Sequence, residues 1–217
     1  MENIKALKTR SDFLKIIAIS SMFIDHVWVF FYPEDLYFRI LWRLAFTIFA
    51  FQIAMWFNFT SNRKKYISRM FVFGLISQIP YFLAFDNGQF NIILTFTLAL
   101  LALYFISEKK FFLLPVVIVP LILFDFEYSF IWILWPLIFY YFREYKLISL
   151  ALFSFLIFIA VEINYIHYIQ YYSIFWAILC LFMPYKNYFL SIPRNFFYIF
   201  YPWHLILLLI LQNLIDK

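Results

Sequence analysis

Long apolar segments separated by short polar breaks run through the whole chain. A helix needs about 20 apolar residues to cross the hydrocarbon core of a bilayer. A membrane-spanning strand would instead alternate polar and apolar residues, and stretches such as IILTFTLALLALYFI show no alternation. The pattern predicts an all-α polytopic membrane protein, a bundle of about nine transmembrane helices. The predicted spans lie near 13–33, 39–59, 66–85, 91–107, 111–124, 127–142, 147–163, 168–184 and 196–214.

The breaks are too short to fold separately, so residues 1–217 are predicted to form a single transmembrane domain. The region 111–142 allows two interpretations. Two short spans can flank Asp125 and Glu127, or one long helix can run through both, which leaves eight spans. Nine spans are preferred because they keep Arg143 and Lys146 on the same side as most other basic residues.

Composition and charge narrow the class of protein further. Apolar residues make up 66% of the chain, charged residues 13%, and the mean hydropathy is +0.87. A water-soluble domain needs more polar surface than this, so the lipid bilayer is the predicted surrounding. The net charge of +5 does not predict nucleic-acid binding, because the basic residues sit at helix ends. The single cysteine, Cys180, excludes an internal disulfide and a multi-cysteine metal site, and no metal is predicted.

The distribution of basic residues predicts the orientation. With the N-terminus in the cytoplasm, most of the 17 Lys and Arg residues fall at cytoplasmic helix ends. Such a bias is typical of cytoplasmic loops. Nine spans then place the C-terminus outside.

Ionisable residues inside spans are costly, and they are therefore the main functional signal. Asp25 and His26 lie about two-thirds of the way along the first span. Adjacent helix positions point about 100° apart, so their side chains are not expected to bond each other. Arg39 and Arg43 share one face at the outer end of the second span and predict a charge cluster with Asp25. The alternative is a purely structural ion pair between the two helices.

Two further motifs could take part in a site. Tyr201 and His204 share a face of the last span around Pro202, where the helix can kink; the alternative is a hydrogen-bonded packing histidine. The run Arg63, Lys64 and Lys65 with Arg69 could bind nucleotide phosphates, but the topology rule alone also places cations there.

Several of these segments together resemble the TraX family, which is typified by the acetylase of conjugative pilin. The resemblance is strongest in the first 100 and last 25 residues. It is carried by the Asp-His pair of the first span, the Arg-Leu-Ala-Phe stretch, the Arg-Lys-Lys loop, Ser-Gln-Ile-Pro, and Tyr-Pro-Trp-His. TraX proteins are in turn similar to a wider group of multi-span acyltransferases that use cytoplasmic acetyl-CoA. The resemblance implies a bacterial cytoplasmic membrane protein with Asp25, His26, Arg43 and His204 in its active site.

The function expected from this resemblance is acetyl transfer from acetyl-CoA to an amine or hydroxyl. The acceptor would be membrane-associated or exported, such as a pilin or other peptide N-terminus, or a glycan. A homodimer is one of the expected partner states, and the sequence leaves the oligomeric state open. A proton- or ion-coupled transporter and a non-catalytic assembly protein are the alternatives.

Each candidate residue has an expected role in this reaction. His26 is the expected general base or transient acyl carrier. Asp25 holds local charge, and Arg39 or Arg43 neutralises Asp25 and stabilises the developing oxyanion. His204 and Tyr201 line the path of the thioester. Arg63, Lys64 and Lys65 are expected to hold the phosphates, although His26 lies roughly 20 Å from the cytoplasmic end of its span.

Overall fold

The computed structural model describes residues 2–32, 38–85, 87–127, 129–184, 192–193 and 195–215; within these, the side chains of residues 2–7, 38–44 and 129 are outside the description. The described residues form nine α-helices and no strand, with short 3-10 helices before α5 and α8. The helices are α1 (Glu2–Phe31), α2 (Phe38–Phe59), α3 (Arg63–Phe85), α4 (Ile92–Ser107), α5 (Pro115–Leu123), α6 (Ser129–Tyr141), α7 (Lys146–Glu162), α8 (Ser173–Phe182) and α9 (Phe196–Ile215).

The region 111–142 forms two helices and not one. Between α5 and α6 the chain extends alongside Phe90, whose N–H donates to the carbonyl of Asp125 at 2.8 Å. The N–H of Glu127 donates back to the carbonyl of Phe90, also at 2.8 Å. These backbone bonds replace helical ones, because Asp125 and Glu127 are polar residues that end one apolar run and begin the next.

The largest difference from the predicted helix bounds is at the N-terminus. α1 begins at Glu2, whereas the predicted span begins at residue 13. The apolar pattern marks only the part of a helix that is suited to lipid, and the first turns of α1 carry several charged residues. A polar extension of this kind cannot be predicted from the pattern of apolar residues.

The core is built around α2 and α4. α2 packs against α1, α4, α6 and α8, and α4 also packs against α3 and α6. Most of α4 is buried on every side, as expected for a helix that is apolar all round. α3 and α4 approach closely at Gly74, where a Cβ atom would come within 2.7 Å of Leu94 Cδ2. α1 and α9 also pack against each other, although they lie at opposite ends of the sequence.

The outer faces of the helices indicate a membrane protein. Residues 8–31, α3 and α9 are three helical segments long and apolar enough to cross a bilayer. Large apolar side chains are exposed along one face of α3, including Phe71, Leu75, Ile79 and Phe82. Contiguous apolar surface of this kind is rare on soluble monomers. The nine-span arrangement and the N-terminus-in orientation stay predictions.

A set of polar side chains joins α3 to α4 and to the α5–α6 loop. Its members are Gln78, Asn91, Thr95 and Glu127, called here the α3–α4 polar cluster. Asn91 caps α4 by accepting from the N–H groups of residues 93 and 94, and its amide donates to the carbonyl of Gly74 at 2.8 Å. Gln78 Oε1 accepts from both the backbone and the side chain of Asn91 at 2.9 Å. These bonds join α3 to α4, a common role of amide side chains between membrane helices.

Glu127 completes this cluster from the loop between α5 and α6. Its carboxylate accepts from the N–H of Ile92 at 3.0 Å and from the hydroxyl of Tyr81. Its carbonyl accepts from Thr95 Oγ1 at 2.8 Å. Burial raises the pKa of Glu127 to about 7, although the two hydrogen bonds to its carboxylate act in the opposite direction.

Candidate functional site

His26 of α1 and His204 of α9 lie side by side in the core, although 178 positions separate them in the sequence. Nδ1 of His26 lies 2.7 Å from Nε2 of His204. The two rings are nearly parallel and meet edge to edge, with centroids 4.9 Å apart and an interplanar angle of 11°. Only 5% of His26 and 2% of His204 are exposed. Two nitrogens at this distance share one hydrogen bond.

The backbone of α9 determines which nitrogen of His204 carries hydrogen. Nδ1 of His204 lies 2.9 Å from the carbonyl oxygen of Phe200. A carbonyl only accepts, so Nδ1 is the donor. Nε2 of a neutral His204 then holds a lone pair and accepts from Nδ1–H of His26. When both rings are neutral, Nε2 of His26 therefore keeps a lone pair that takes no part in the hydrogen bond between the rings.

Asp25 brings a carboxylate close to that nitrogen. Its Oδ2 lies 4.0 Å from Nε2 of His26, and 2% of the residue is exposed. The distance is too long for a hydrogen bond, in agreement with the expectation for adjacent helix positions. It is short enough for an ion pair once His26 is protonated.

Aromatic rings surround the histidine pair. Phe85 of α3 packs edge-on against His26 at 5.4 Å between ring centroids. Phe200 stacks on His204 at 5.1 Å, and Phe23 lies 6.4 Å from the same ring. Rings of this size exclude water, so charges that develop at the pair are weakly screened.

The α9 face that carries His204 also carries Tyr201. The two ring centroids are 5.6 Å apart, and Tyr201 is fully buried. Pro202 lies inside α9 and has no N–H, so the carbonyl of Tyr198 loses its usual helical donor. Tyr201 and His204 share one face of α9, as their i, i+3 spacing predicts, and this face points into the protein.

An apolar groove runs along the contact between α1 and α9 and reaches His204. It encloses 670 Å³, and its walls include Ile19 and Phe23 of α1 and Ile199 and Trp203 of α9. No charged side chain of the described residues lines it. This α1–α9 groove meets the histidine pair on the side of His204.

A second space of 470 Å³ lies near the start of α1. Lys8, Asp12 and Lys15 of α1 and Arg69 of α3 line it, and we call it the basic cavity. Pro193 borders both this cavity and the α1–α9 groove. The segment that precedes α9 therefore forms part of the wall of both spaces.

Comparison with known proteins places this geometry in a family. The family model described as TraX protein matches residues 10–212, which is nearly the whole chain and includes both histidines. The chain belongs to the TraX family. This confirms the resemblance seen in the sequence.

Other comparisons add little to the assignment of this TraX-family chain. A segment of 68 residues is 37% identical to a protein of Rickettsia prowazekii (strain Madrid E) named uncharacterized protein RP591. The match covers 31% of this chain and 25% of the relative. No solved structure matches. The roles of individual residues in the TraX-family chain therefore depend on the geometry.

The predicted phosphate-binding run is mostly separate from the basic cavity. Nη1 of Arg63 lies 3.6 Å from Oε1 of Glu108, and Lys64 and Lys65 are exposed. Of the four cations in this run, only Arg69 lines the basic cavity. The structure thus brings Asp25, His26, Tyr201 and His204 together and leaves the Arg63–Lys65 run elsewhere.

Arg39 and Arg43 belong to the first two turns of α2, but their side chains lie outside the described residues. The predicted charge cluster with Asp25 stays a prediction.

Lys8 and Lys15 were not singled out as ligand-binding residues from the sequence. At the start of a first span they look like ordinary topology determinants. What brings them to a cavity is the packing of α1 against α2 and α9, which sequence spacing does not reveal. Cys180 is buried in α8, and no group of three His, Cys, Asp or Glu among the described residues could hold a metal ion.

Proposed function

We propose that this TraX-family chain is a membrane-embedded acetyltransferase. It moves an acetyl group from cytoplasmic acetyl-CoA to an amine or hydroxyl of a membrane-associated or exported acceptor. The observation that supports this most strongly is the His26–His204 pair, in which one imidazole nitrogen keeps a lone pair beside a carboxylate. Acyl transfer needs a base for the acceptor's proton, and imidazole is well suited to that role near neutral pH.

The proposed reaction uses His26 as a general base. The acceptor's N–H or O–H gives its proton to Nε2 of His26 as its nitrogen or oxygen attacks the thioester carbonyl carbon. The new bond to carbon forms, the carbon–sulfur bond breaks, and coenzyme A leaves as a thiolate. The proton on Nε2 then passes to the thiolate, which returns the pair to its starting state. Asp25, 4.0 Å away, stabilises the protonated ring between the two transfers.

Stabilisation of the oxyanion is assigned to α2. Arg43 or Arg39 would neutralise Asp25 and donate to the oxygen of the tetrahedral intermediate, because a guanidinium offers several fixed donors. This part of the proposal rests on the i, i+4 spacing of the two arginines in the first turns of α2.

The α1–α9 groove supports an acceptor that arrives along the membrane. Its uncharged, largely apolar walls suit the apolar part of a membrane-anchored peptide or glycan, and His204 is one of the residues that line it. His204 and Tyr201 would position the reacting groups, while His26 takes up the proton. The proposal includes a location in the bacterial cell membrane, as a multi-pass protein with its N-terminus in the cytoplasm.

The direct test is acetyl transfer from labelled acetyl-CoA in membranes that carry the protein. His26→Ala should lower the incorporation of label about 10²- to 10⁴-fold, the usual contribution of a general base. The matched control is His167→Ala, because His167 is exposed in the loop before α8 and should leave transfer unchanged. Full activity of His26→Ala would remove His26 from the reaction.

A proton-coupled transporter is the second candidate, favoured by the same buried proton-binding groups. The two functions separate in sealed vesicles. A transferase labels acceptors when acetyl-CoA is added to the cytoplasmic face. A transporter accumulates solute in response to a pH gradient and needs no acetyl-CoA. Solute uptake without acetylated product would therefore replace the proposed function with this one.

A further inference from the structure

The charges around the basic cavity select an anion as its ligand. Lys8, Lys15 and Arg69 contribute three positive charges and Asp12 one negative charge, which leaves a net charge of +2. Asp12 is held by Lys15, with 3.2 Å between Oδ1 and Nζ. No other charged side chain among the described residues lines the cavity. A ligand carrying two or more negative charges would neutralise it.

Arg69 has an unused donor in this cavity. Its guanidinium carbon lies 5.6 Å from the ring centroid of Tyr198 and 5.7 Å from that of Tyr66, so two rings hold the group in place. Its Nε is buried, and no acceptor among the described residues hydrogen-bonds to it. Buried donors are nearly always satisfied by a protein group, water or a ligand. A guanidinium held in a fixed position is well suited to the oxygens of a phosphate.

The cavity also offers flat apolar surfaces next to its cations. Trp56, Tyr66, Phe197 and Tyr198 are among its walls. The indole N–H of Trp56 donates to Ser11 Oγ at 3.0 Å, which fixes the orientation of that ring. Aromatic faces of this kind stack well on planar heterocycles. The volume of 470 Å³ falls in the range of small-molecule sites, about 300–1,000 Å³.

We infer that the basic cavity binds the nucleotide part of the acetyl donor, with its phosphates at Lys8, Lys15 and Arg69 and its base against the aromatic wall. The inference rests on the proposed function for the identity of the donor. In this inference the basic cavity takes the place of the Arg63–Lys65 run as the phosphate site.

The position of the cavity relative to the histidine pair agrees with this assignment. Phe197 lines the cavity, and its ring lies 6.1 Å from that of Tyr201, which in turn contacts His204. Phe197 and His204 are seven residues apart on α9, or roughly 10 Å along the helix axis. The acetyl group of a donor bound in the basic cavity therefore has to reach only about half of the roughly 20 Å that the sequence predicts.

The test measures nucleotide binding separately from transfer. The probes are coenzyme A and adenosine 3′,5′-bisphosphate, which has the phosphates and the base but no pantetheine arm and no thioester. Both are titrated into the purified full-length protein in detergent. Lys8→Gln and Arg69→Gln should each weaken binding about 10- to 100-fold, the usual effect of losing a bond to a charged group. Lys8 is exposed, so its replacement is not expected to disturb the fold.

The matched control is the double variant Lys64→Gln, Lys65→Gln, which removes two nearby cations that do not line the cavity. It should bind both probes like the wild type. The inference would be overturned if this double variant bound the probes weakly while Lys8→Gln and Arg69→Gln bound them normally. The phosphates would then bind at the Arg63–Lys65 run. Wild-type protein that binds neither probe but binds phosphatidylglycerol would also overturn it, because the cavity would then hold a lipid headgroup.

Acetyl transfer is measured in the same variants, so that the proposed function and the assignment of the basic cavity can be tested independently. If transfer occurs but the Arg69 and Lys8 variants bind donor normally, the cavity assignment is wrong and the proposed function stands. If both variants lose nucleotide binding but the wild type transfers no acetyl group, the cavity assignment stands and the proposed function is wrong.

Discussion

Two buried polar regions of this TraX-family chain differ in how completely their hydrogen bonds are used. In the α3–α4 polar cluster, Asn91 uses both amide donors and its acceptor within the protein. In the histidine pair, the bonds between the rings and to the backbone leave Nε2 of His26 with a lone pair beside Asp25. A saturated network stabilises a fold, whereas a buried base with an available lone pair can carry a proton.

The largest expected effect is a loss of acetyl transfer when the histidine pair is changed. His204→Ala removes the acceptor for Nδ1–H of His26 and frees that ring to turn. Transfer per folded molecule should fall about 10²- to 10⁴-fold, as for a lost general base. Labelled acetyl transfer, normalised to folded protein in the membrane, is the measurement. Normal transfer would show that the second histidine is only a packing residue.

The next effect should appear in stability and not in chemistry. Asn91→Ala removes the cap of α4 and the two hydrogen bonds that the amide donates, to the carbonyl of Gly74 and to Oε1 of Gln78. We expect a loss of about 3 kcal/mol in unfolding free energy, from the cap and the two lost hydrogen bonds together. Denaturant unfolding in detergent measures it. The control is Asn213→Ala, an exposed asparagine of α9, for which we expect less than about 0.5 kcal/mol.

The smallest predicted effect is a pH dependence of stability from the same cluster. Burial raises the pKa of Glu127 to about 7 in the folded state, from an ordinary value of 4.5. Between these values the folded protein keeps a proton that the unfolded chain releases. Stability should therefore fall by about 1 to 3 kcal/mol as the pH rises from about 4.5 to 7, and level off above that.

Glu127→Gln should remove this slope, because glutamine keeps the size of the side chain and does not titrate. Unfolding measured at several pH values compares the two proteins. An unchanged slope in Glu127→Gln would assign the pH dependence to another group.

The helices were largely predictable from the sequence, because long apolar runs and polar breaks report directly on a helical membrane protein. Two helices in the region 111–142 were preferred over one because they keep Arg143 and Lys146 on the same side as most other basic residues. The start of α1 was not predictable, since its polar first turns carry no apolar pattern.

The site was only partly predictable. Asp25, His26 and His204 could be singled out, because ionisable residues inside apolar spans are unusual. The 2.7 Å contact between the two histidines could not, because it depends on the packing of α1 against α9 across 178 positions of sequence. Lys8 and Lys15 gave no signal beyond the topology rule, and only their common cavity distinguishes them from Lys64 and Lys65.

The central claim is that His26 and His204 work as one proton-accepting unit. A double-mutant cycle tests it most directly, by measuring acetyl transfer in His26→Ala, His204→Ala and the variant with both changes. If the pair is one unit, the double variant should be no slower than the slower single variant, because each single change already destroys the unit. Losses that multiply in the double variant, or wild-type transfer in His26→Ala, would contradict the claim.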